Sequence, residues 1–373
     1  MEVNVKPRDG LQLHAFLLIF IVHSTQIGVG LVGLPRIVYL DAGHDGWISV
    51  FLAGVLGGVS LWFMVKMLGQ YDSADLYGIH ADVFGKWIGN FLSLMYMGYL
   101  AAAFFVIYIN YIEIVQVWIF PNLPTWQLGL VLTLLSAYAV YGGIRVVVGT
   151  AFLSVMGTLW MVFVLFVPLK HSEINHIFPI LDADIEQILK GAHNSSLSMM
   201  GMELVLFVYP YIKEKQKTQI FSQIGNAYTA FIFTLVTFVS IIYYAGGSLE
   251  QTIWPVISLF KIVRLPNLER FEIIAVSFWM LIIVPNLCIY LWAASKGFSR
   301  IFAGKQKWGL WILVSLIFVS SFFVKARYQM NLISDIIGKF GFYAAVCYPI
   351  LLYFIVSAKN KYFRGKNNHA KGS

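Results

Sequence analysis

The chain has 373 residues, 59% of them hydrophobic and 12% charged, against about a quarter charged in an ordinary soluble domain. That balance excludes a water-soluble globule. The mean hydropathy of +0.75 comes from long apolar runs, and a helix needs about 20 such residues to cross a hydrocarbon core about 30 Å thick.

No run alternates apolar with polar residues as an outer-membrane strand does. The expected fold is therefore an all-α polytopic membrane protein, a single integral membrane domain over residues 1–373. Its net charge of +8 is spread between and after the apolar runs, which reports membrane topology and not nucleic-acid binding. Cys288 and Cys347 each sit inside an apolar run, so neither a disulfide framework nor a thiolate zinc site is available. Lys6 and Arg8 precede the first run as in a signal peptide, yet no small-residue cleavage site follows, and that run is expected to be retained.

Ten candidate spans follow in order: Leu13 to Val38, Trp47 to Leu68, Phe91 to Ile119, Trp126 to Tyr141, Ala151 to Leu169, Ala192 to Ile212, Gln219 to Ala245, Phe271 to Ala294, Trp308 to Val324 and Phe340 to Ser357. With the N-terminus inside, most basic residues fall on the inner side, among them Lys66, Arg145, Lys213, Lys215, Lys217, Lys296 and Arg300. By the positive-inside rule both termini are cytoplasmic. Residues 358–373, with Lys359, Lys361, Arg364, Lys366 and Lys371, form a basic tail.

Two connections are long enough for structure of their own. Asp72 to Trp87 offers Asp72 or Ser73 as an N-cap, then Leu76, Ile79, Val83 and Trp87 at helical spacing, which predicts a short amphipathic helix at the inner interface. Ser248 to Val263 is its outer counterpart. These connections follow the second and seventh spans, and later span starts trail earlier ones by a slowly drifting offset. The layout predicts two five-helix repeats, 13–169 and 192–357, of opposite membrane orientation, as in many secondary transporters.

In such a repeat the first helix of each half is discontinuous. The first span carries Gly28, Gly30, Gly33 and Pro35 within one crossing, and the sixth carries His193 to Ser198, Gly201, Glu203 and Pro210. Glycine lets the backbone leave helical geometry and proline frees a carbonyl. Half-helix ends offer N–H groups to an anion and carbonyls to a cation, so a zwitterion such as an amino acid suits both. Glu203 lies mid-span, where a charge costs about 2.5–3.5 kcal/mol. It holds a substrate ammonium, a proton or a cation, or else is a protonated carboxyl bonded to a neighbouring helix. His23 is a weaker candidate of the same kind.

Glu113, nearer a span end, reads as a snorkelling carboxylate. Gly98, Ala101, Ala102 and Phe105 make a small-residue stripe whose commoner meaning is close helix packing, though Tyr99 beside it could line a pocket. Pro285 and Asn286 interrupt the eighth span at depth, and the amide is either interhelical glue or a ligand contact. Trp47, Trp87, Trp118, Trp126 and Trp308 are interface anchors. No P-loop, H-E-x-x-H or G-x-S-x-G run occurs, so neither ATP-driven transport nor enzymatic chemistry is expected, and no cofactor or metal is called for.

These residues, together with the run Trp254, Pro255, Ile257, Ser258 and then Glu269, Arg270, Phe271, Glu272, resemble the B subunit of GerA-type spore germinant receptors, a branch of the amino acid, polyamine and organocation transporter superfamily. The resemblance covers nearly the whole chain. It implies a LeuT-like bundle of ten helices, with helices 1 and 6 broken, in the inner membrane of a spore. It also implies a small nutrient ligand, with A-subunit and lipoprotein C-subunit partners. Carried over by residue, the pocket is Thr25, Gly28, Gly30, Ser198, Gly201 and Glu203. Tyr99 and Asn286 join it from the reading of the third and eighth spans, while Glu269 is expected to pair with Arg270. The competing function on the same fold is a secondary amino-acid transporter coupled to protons or sodium.

Overall fold

The computed structural model describes residues 2–264, 269–324 and 326–371, with side chains as far as 362. Arg364, Lys366 and Lys371 of the expected tail lie outside the described side chains. The chain is helical: α1 (Leu18–Gln26), α2 (Gly30–Ala42), α3 (Gly46–Leu68), α4 (Leu76–Trp118), α5 (Thr125–Tyr141), α6 (Ile144–Thr158), α7 (Trp160–Val164), α8 (Phe166–Leu169), α9 (Ile185–Ser198), α10 (Val205–Val208), α11 (Thr218–Tyr243), α12 (Gly246–Gln251), α13 (Pro255–Phe260), α14 (Phe271–Phe302), α15 (Gln306–Ser321), α16 (Arg327–Phe342) and α17 (Tyr348–Lys371). A π-helical turn, Tyr343–Cys347, joins the last two.

By length and composition, six stretches of the described residues can cross a membrane: Gly30–Leu68, Leu76–Trp118, Ile144–Leu169, Lys215–Tyr243, Phe271–Phe302 and Arg327–Tyr362. Ala15–Gln26, Thr125–Tyr141, Met202–Tyr211 and Gln306–Ser321 are shorter apolar helices. Each run read from the sequence falls on one or a pair of these elements.

At the centre, α14 packs along α4 and α6, while α11 packs against α3 and α1. Lipid is as apolar as leucine, so close approach at small residues, more than water exclusion, holds such helices together. A Cβ on Gly54 would collide with Ala230, one on Gly57 would meet Asn226 and one on Gly309 would collide with Phe298. Gly98 departs from its expected packing role: it is exposed and nothing lies near its missing Cβ.

The segment before α4 also differs from its sequence reading. Its N-cap is Asp75, whose side chain accepts from Gly78 N–H at 2.7 Å, and not Asp72 or Ser73. Leu76, Tyr77 and Ile79 are buried, so this first stretch is core and not an interfacial amphipath. It turns into the long helix at Gly85 (φ +74°). Burial follows from the Arg300 guanidinium, which donates to Asp75 at 3.0 Å and to the Glu2 carbonyl at 2.7 Å. That ion pair ties the chain start, α4 and the end of α14 together. Two isolated β-bridges, Asn4 with Ala74 and Leu13 with Ile212, lay the N-terminal residues as a strap across the same face. Lys359 pairs with Asp82 there, so the middle of α17 lies on the strap's side of the bundle.

Other connections show what composition hid. α16 begins well before Phe340, the expected start, because Gln329, Asn331 and Asp335 interrupt its hydropathy. Glu113 is 12% exposed and pairs with Arg327 at 3.6 Å; it does not snorkel. Arg270 pairs with Glu272 at 3.0 Å and not with Glu269, because Glu272 lies in the first turn of α14. On the face opposite the strap, the buried Asp45 carboxylate accepts from the N–H groups of Leu181, Asp182 and Ala183 at 2.8, 2.8 and 3.0 Å, fixing the loop that leads into α9.

Removing Arg300 leaves Asp75 buried without its cation, a change that costs about 3–5 kcal/mol in comparable settings. Arg300→Met should lower the unfolding midpoint of the purified protein sharply, and Asp75→Asn in the same chain should restore part of the loss. Full additivity of the two changes would show that they do not interact.

Candidate functional site

Two membrane segments are broken, and the breaks face each other. In the first, α1 stops at Gln26, Ile27 is extended (φ −83°, ψ 121°), and α2 starts at Gly30. Pro35 lies inside α2 and plays no part in the break. In the second, α9 stops at Ser198 and Gly201 has φ +126°, a conformation open only to glycine at low cost. A short 3-10 turn, α10 and a second 3-10 turn then run to Tyr211. A Cβ on Gly201 would strike the Thr25 carbonyl, and one on Gly30 would lie 2.9 Å from the Ser198 Cβ. Main chain therefore touches main chain where the segments cross.

Backbone freed at depth has no water to bond, so protein groups must satisfy it. The Asn286 amide donates to Thr25 O at 3.3 Å and Ile27 O at 3.1 Å. The Gln26 amide donates to Met199 O at 3.1 Å and to Asn226 Oδ1 at 2.9 Å. Glu203 is fully buried. Its Oε2 accepts from Gly201 N–H at 2.8 Å, and its Oε1 accepts from the hydroxyls of Tyr99 at 2.9 Å and Tyr290 at 3.1 Å. Three donors already converge on this carboxyl, so an incoming ammonium has to join or displace them.

All eight residues expected in the pocket meet here, in two groups. Glu203, Gly201 and Tyr99 form one, and Thr25, Gly28 and Asn286 the other; Gly201 against Thr25 joins them, with Gly30 and Ser198 alongside. The Thr25 hydroxyl is spent within its own helix, donating to the carbonyls of Ile21 and Val22. Tyr290, Gln26 and Asn226 were not singled out in the sequence. Tyr290 is one helical turn from Asn286 on α14, a spacing that could have signalled a shared face.

Polar capacity remains at the junction. Among the described residues, Asn286 Oδ1 and Gln26 Oε1 are buried acceptors with no partner. The Trp279 indole N–H, two turns before Asn286 on α14, is a buried donor without one, and it lies beside the junction in a cavity that none of the eight expected residues lines. A cavity of about 50 Å³ opens beside Ile27, lined by His23, Leu31, Tyr228, Phe260, Trp279 and Ile282 among others. His23 Nδ1 lies 2.9 Å from Thr229 Oγ1, which accounts for this histidine inside the bundle. Ligand pockets usually span about 300–1,000 Å³, so this cavity is too small for a nutrient in this arrangement.

A family model described as "Spore germination protein" matches residues 12–330. The chain belongs to that family. It is 33% identical to spore germination protein GerQB of Bacillus cereus over 94% of this chain and 97% of that protein. It is also 25% identical to spore germination protein A2 of Bacillus subtilis (strain 168), again over 94% and 97%. The expected kinship with B subunits of GerA-type receptors is thereby established. Among solved structures, this spore germination family member is similar to a substrate-bound outward-open Na+-coupled sialic acid symporter (TM-score 0.63, 14% identity, 91% of this chain and 80% of that one). It is similar also to MhsT in complex with L-phenylalanine (TM-score 0.60, 14% identity, 95% and 89%). The fold is that of the LeuT-like transporters.

Gly201 should be irreplaceable. Gly201→Ala should prevent recovery of folded protein or lower its unfolding midpoint markedly, whereas Gly98→Ala, in open space, should leave the unfolding free energy within about 0.5 kcal/mol of the original. Equal behaviour of the two variants would mean that the second break does not depend on the left-handed glycine.

Proposed function

We propose that this chain is a nutrient germinant receptor subunit which binds a small nutrient, an amino acid, at the junction of the broken segments and triggers spore germination with A-subunit and lipoprotein partners. The observation that carries the reading is the set of unspent polar groups at that junction. Asn286 Oδ1 and Gln26 Oε1 can accept from an ammonium. Leaving a buried polar group unpaired costs about 1–3 kcal/mol, which a ligand ammonium at these two acceptors would recover. The apolar wall of Leu31, Phe260 and Ile282 suits an aliphatic or aromatic side chain.

The closed cavity gives the binding event its consequence. A nutrient can enter only by parting the two broken segments, so it binds an open arrangement better than a closed one and shifts the balance between them. Thr25, Gly28, Gly30, Tyr99, Ser198, Gly201, Glu203 and Asn286 are the proposed ligand-binding shell. Glu203, held by Tyr99 and Tyr290, is the latch that the ligand must loosen. The inner spore membrane, with both termini cytoplasmic and ten crossings in two inverted halves, is the setting this reading requires. Kinship with germination proteins, and the fold shared with symporters, support a receptor built on a transporter frame. A coupled amino-acid transporter is the second reading, favoured by that same fold.

Glu203→Gln should leave the protein in the spore membrane but raise the nutrient concentration for half-maximal germination by at least about tenfold, a change of roughly 1.4 kcal/mol. A normal response would remove Glu203 from the site. Uptake of radiolabelled amino acids into proteoliposomes containing this chain alone should stay at background, and robust accumulation would favour the transporter.

A further inference from the structure

Beneath the second broken segment, on the face that carries the chain start, lies a cavity of about 370 Å³ lined by Val5, Lys6, Pro7, Gln12, Ser73, Pro210, Ile212, Lys213, Lys215 and Gln216. Three of these are lysines and none is acidic. Two segments far apart in sequence bring them together. The strap contributes Lys6, held by the bridge of Asn4 with Ala74 and by Val5 N–H donating to Ser73 O at 2.8 Å. The loop after the second broken segment contributes Lys213 and Lys215, held by the bridge of Leu13 with Ile212 and by Lys213 N–H donating to Leu13 O at 2.9 Å.

Of the neighbouring acids, Asp72 attracts Lys215 and Asp9 accepts from the Gln12 amide at 3.5 Å, but none pairs with Lys6 or Lys213. Glu214 turns to the Ala15 N–H and to His14, at 2.9 Å each. Lys215 donates to the Asp72 main-chain carbonyl and lies over the Tyr209 ring. Among the described residues, Lys6 and Lys213 have no carboxylate within ion-pair distance and both are exposed. Like charges drawn together by backbone pairing repel unless an anion sits between them.

We propose that this cavity is an anion site that takes a phosphate group, with Lys6 and Lys213 as its principal charges and the Gln12, Ser73 and Gln216 side chains as neutral partners. A bound phosphate bridges the strap to the loop and so holds closed the end of the second broken segment at Tyr209, Pro210 and Tyr211. The phosphate is either the headgroup of an anionic lipid or a free ion. This proposal is independent of the nutrient site.

The test uses the full chain in nanodiscs of phosphatidylcholine, titrated with inorganic phosphate at constant ionic strength, and in nanodiscs containing phosphatidylglycerol. The unfolding midpoint and the acetylation rate of Lys6 and Lys213 are read in each. The variant Lys6→Gln/Lys213→Gln changes two exposed side chains and keeps the Lys215 contact. Lys305→Gln/Lys361→Gln is the charge-matched control. A midpoint raised by phosphate, with protection of both lysines, identifies a free anion. The same effects in phosphatidylglycerol alone identify a lipid headgroup. In either case the double variant should need about twenty-five-fold more anion, at roughly fivefold per lysine near a charged surface, and the control should not. No response to either probe, or an equal response from the double variant and the control, would overturn the site.

Discussion

An interrupted helix inside lipid exposes carbonyl and N–H groups that no solvent can satisfy, and the structure is arranged around meeting that demand. Asn286 supplies the donor for the carbonyls of Thr25 and Ile27, Gln26 for that of Met199, and Glu203 the acceptor for the N–H of Gly201. Each of these side chains reaches from one element to the main chain of another or back across its own break. The same contacts therefore hold α1, α9, α14 and the segment after Gly201 together. Glycines at 28, 30 and 201 permit the approach, and α4 contributes Tyr99 to close it.

On the proposed reading, this arrangement lets a transporter frame serve as a receptor. A group that satisfies freed backbone can be displaced by a ligand of the same polarity, and displacement loosens the helices it was holding. Alternating access and signalling both need two arrangements of similar energy; they differ in whether the ligand leaves on the far side. Here the junction is narrow and latched by two tyrosines on one carboxyl. On the proposed reading, such a frame favours a stable resting state that nutrient must actively disturb.

The membrane class, the apolar runs and the two breaks were legible because each depends on local composition: hydropathy for the spans, Gly28 and Gly201 for the interruptions. Glu203 was legible as a lone mid-span acid. Tyr290, Gln26 and Asn226 were not, because their importance comes from which carbonyl or carboxyl they reach across a sequence distance that no local pattern records. Asp75 does not stand out as the cap over Asp72 or Ser73 for the same reason, since the Arg300 guanidinium that holds its buried carboxylate comes from the far end of α14. α16 was hidden by polar residues that the bundle tolerates because one face of that helix packs on α4. Arg270 was paired with the nearest acid in sequence, whereas the first turn of α14 presents Glu272.

The most direct trial of the account is a structure of the assembled receptor determined with and without a saturating germination nutrient. Nutrient density should rest against the main chain of Ile27 to Gly30 and Met199 to Gly201, with the Tyr99 and Tyr290 hydroxyls drawn away from Glu203. Density lodged elsewhere, with both breaks and the Glu203 contacts unchanged, would contradict it.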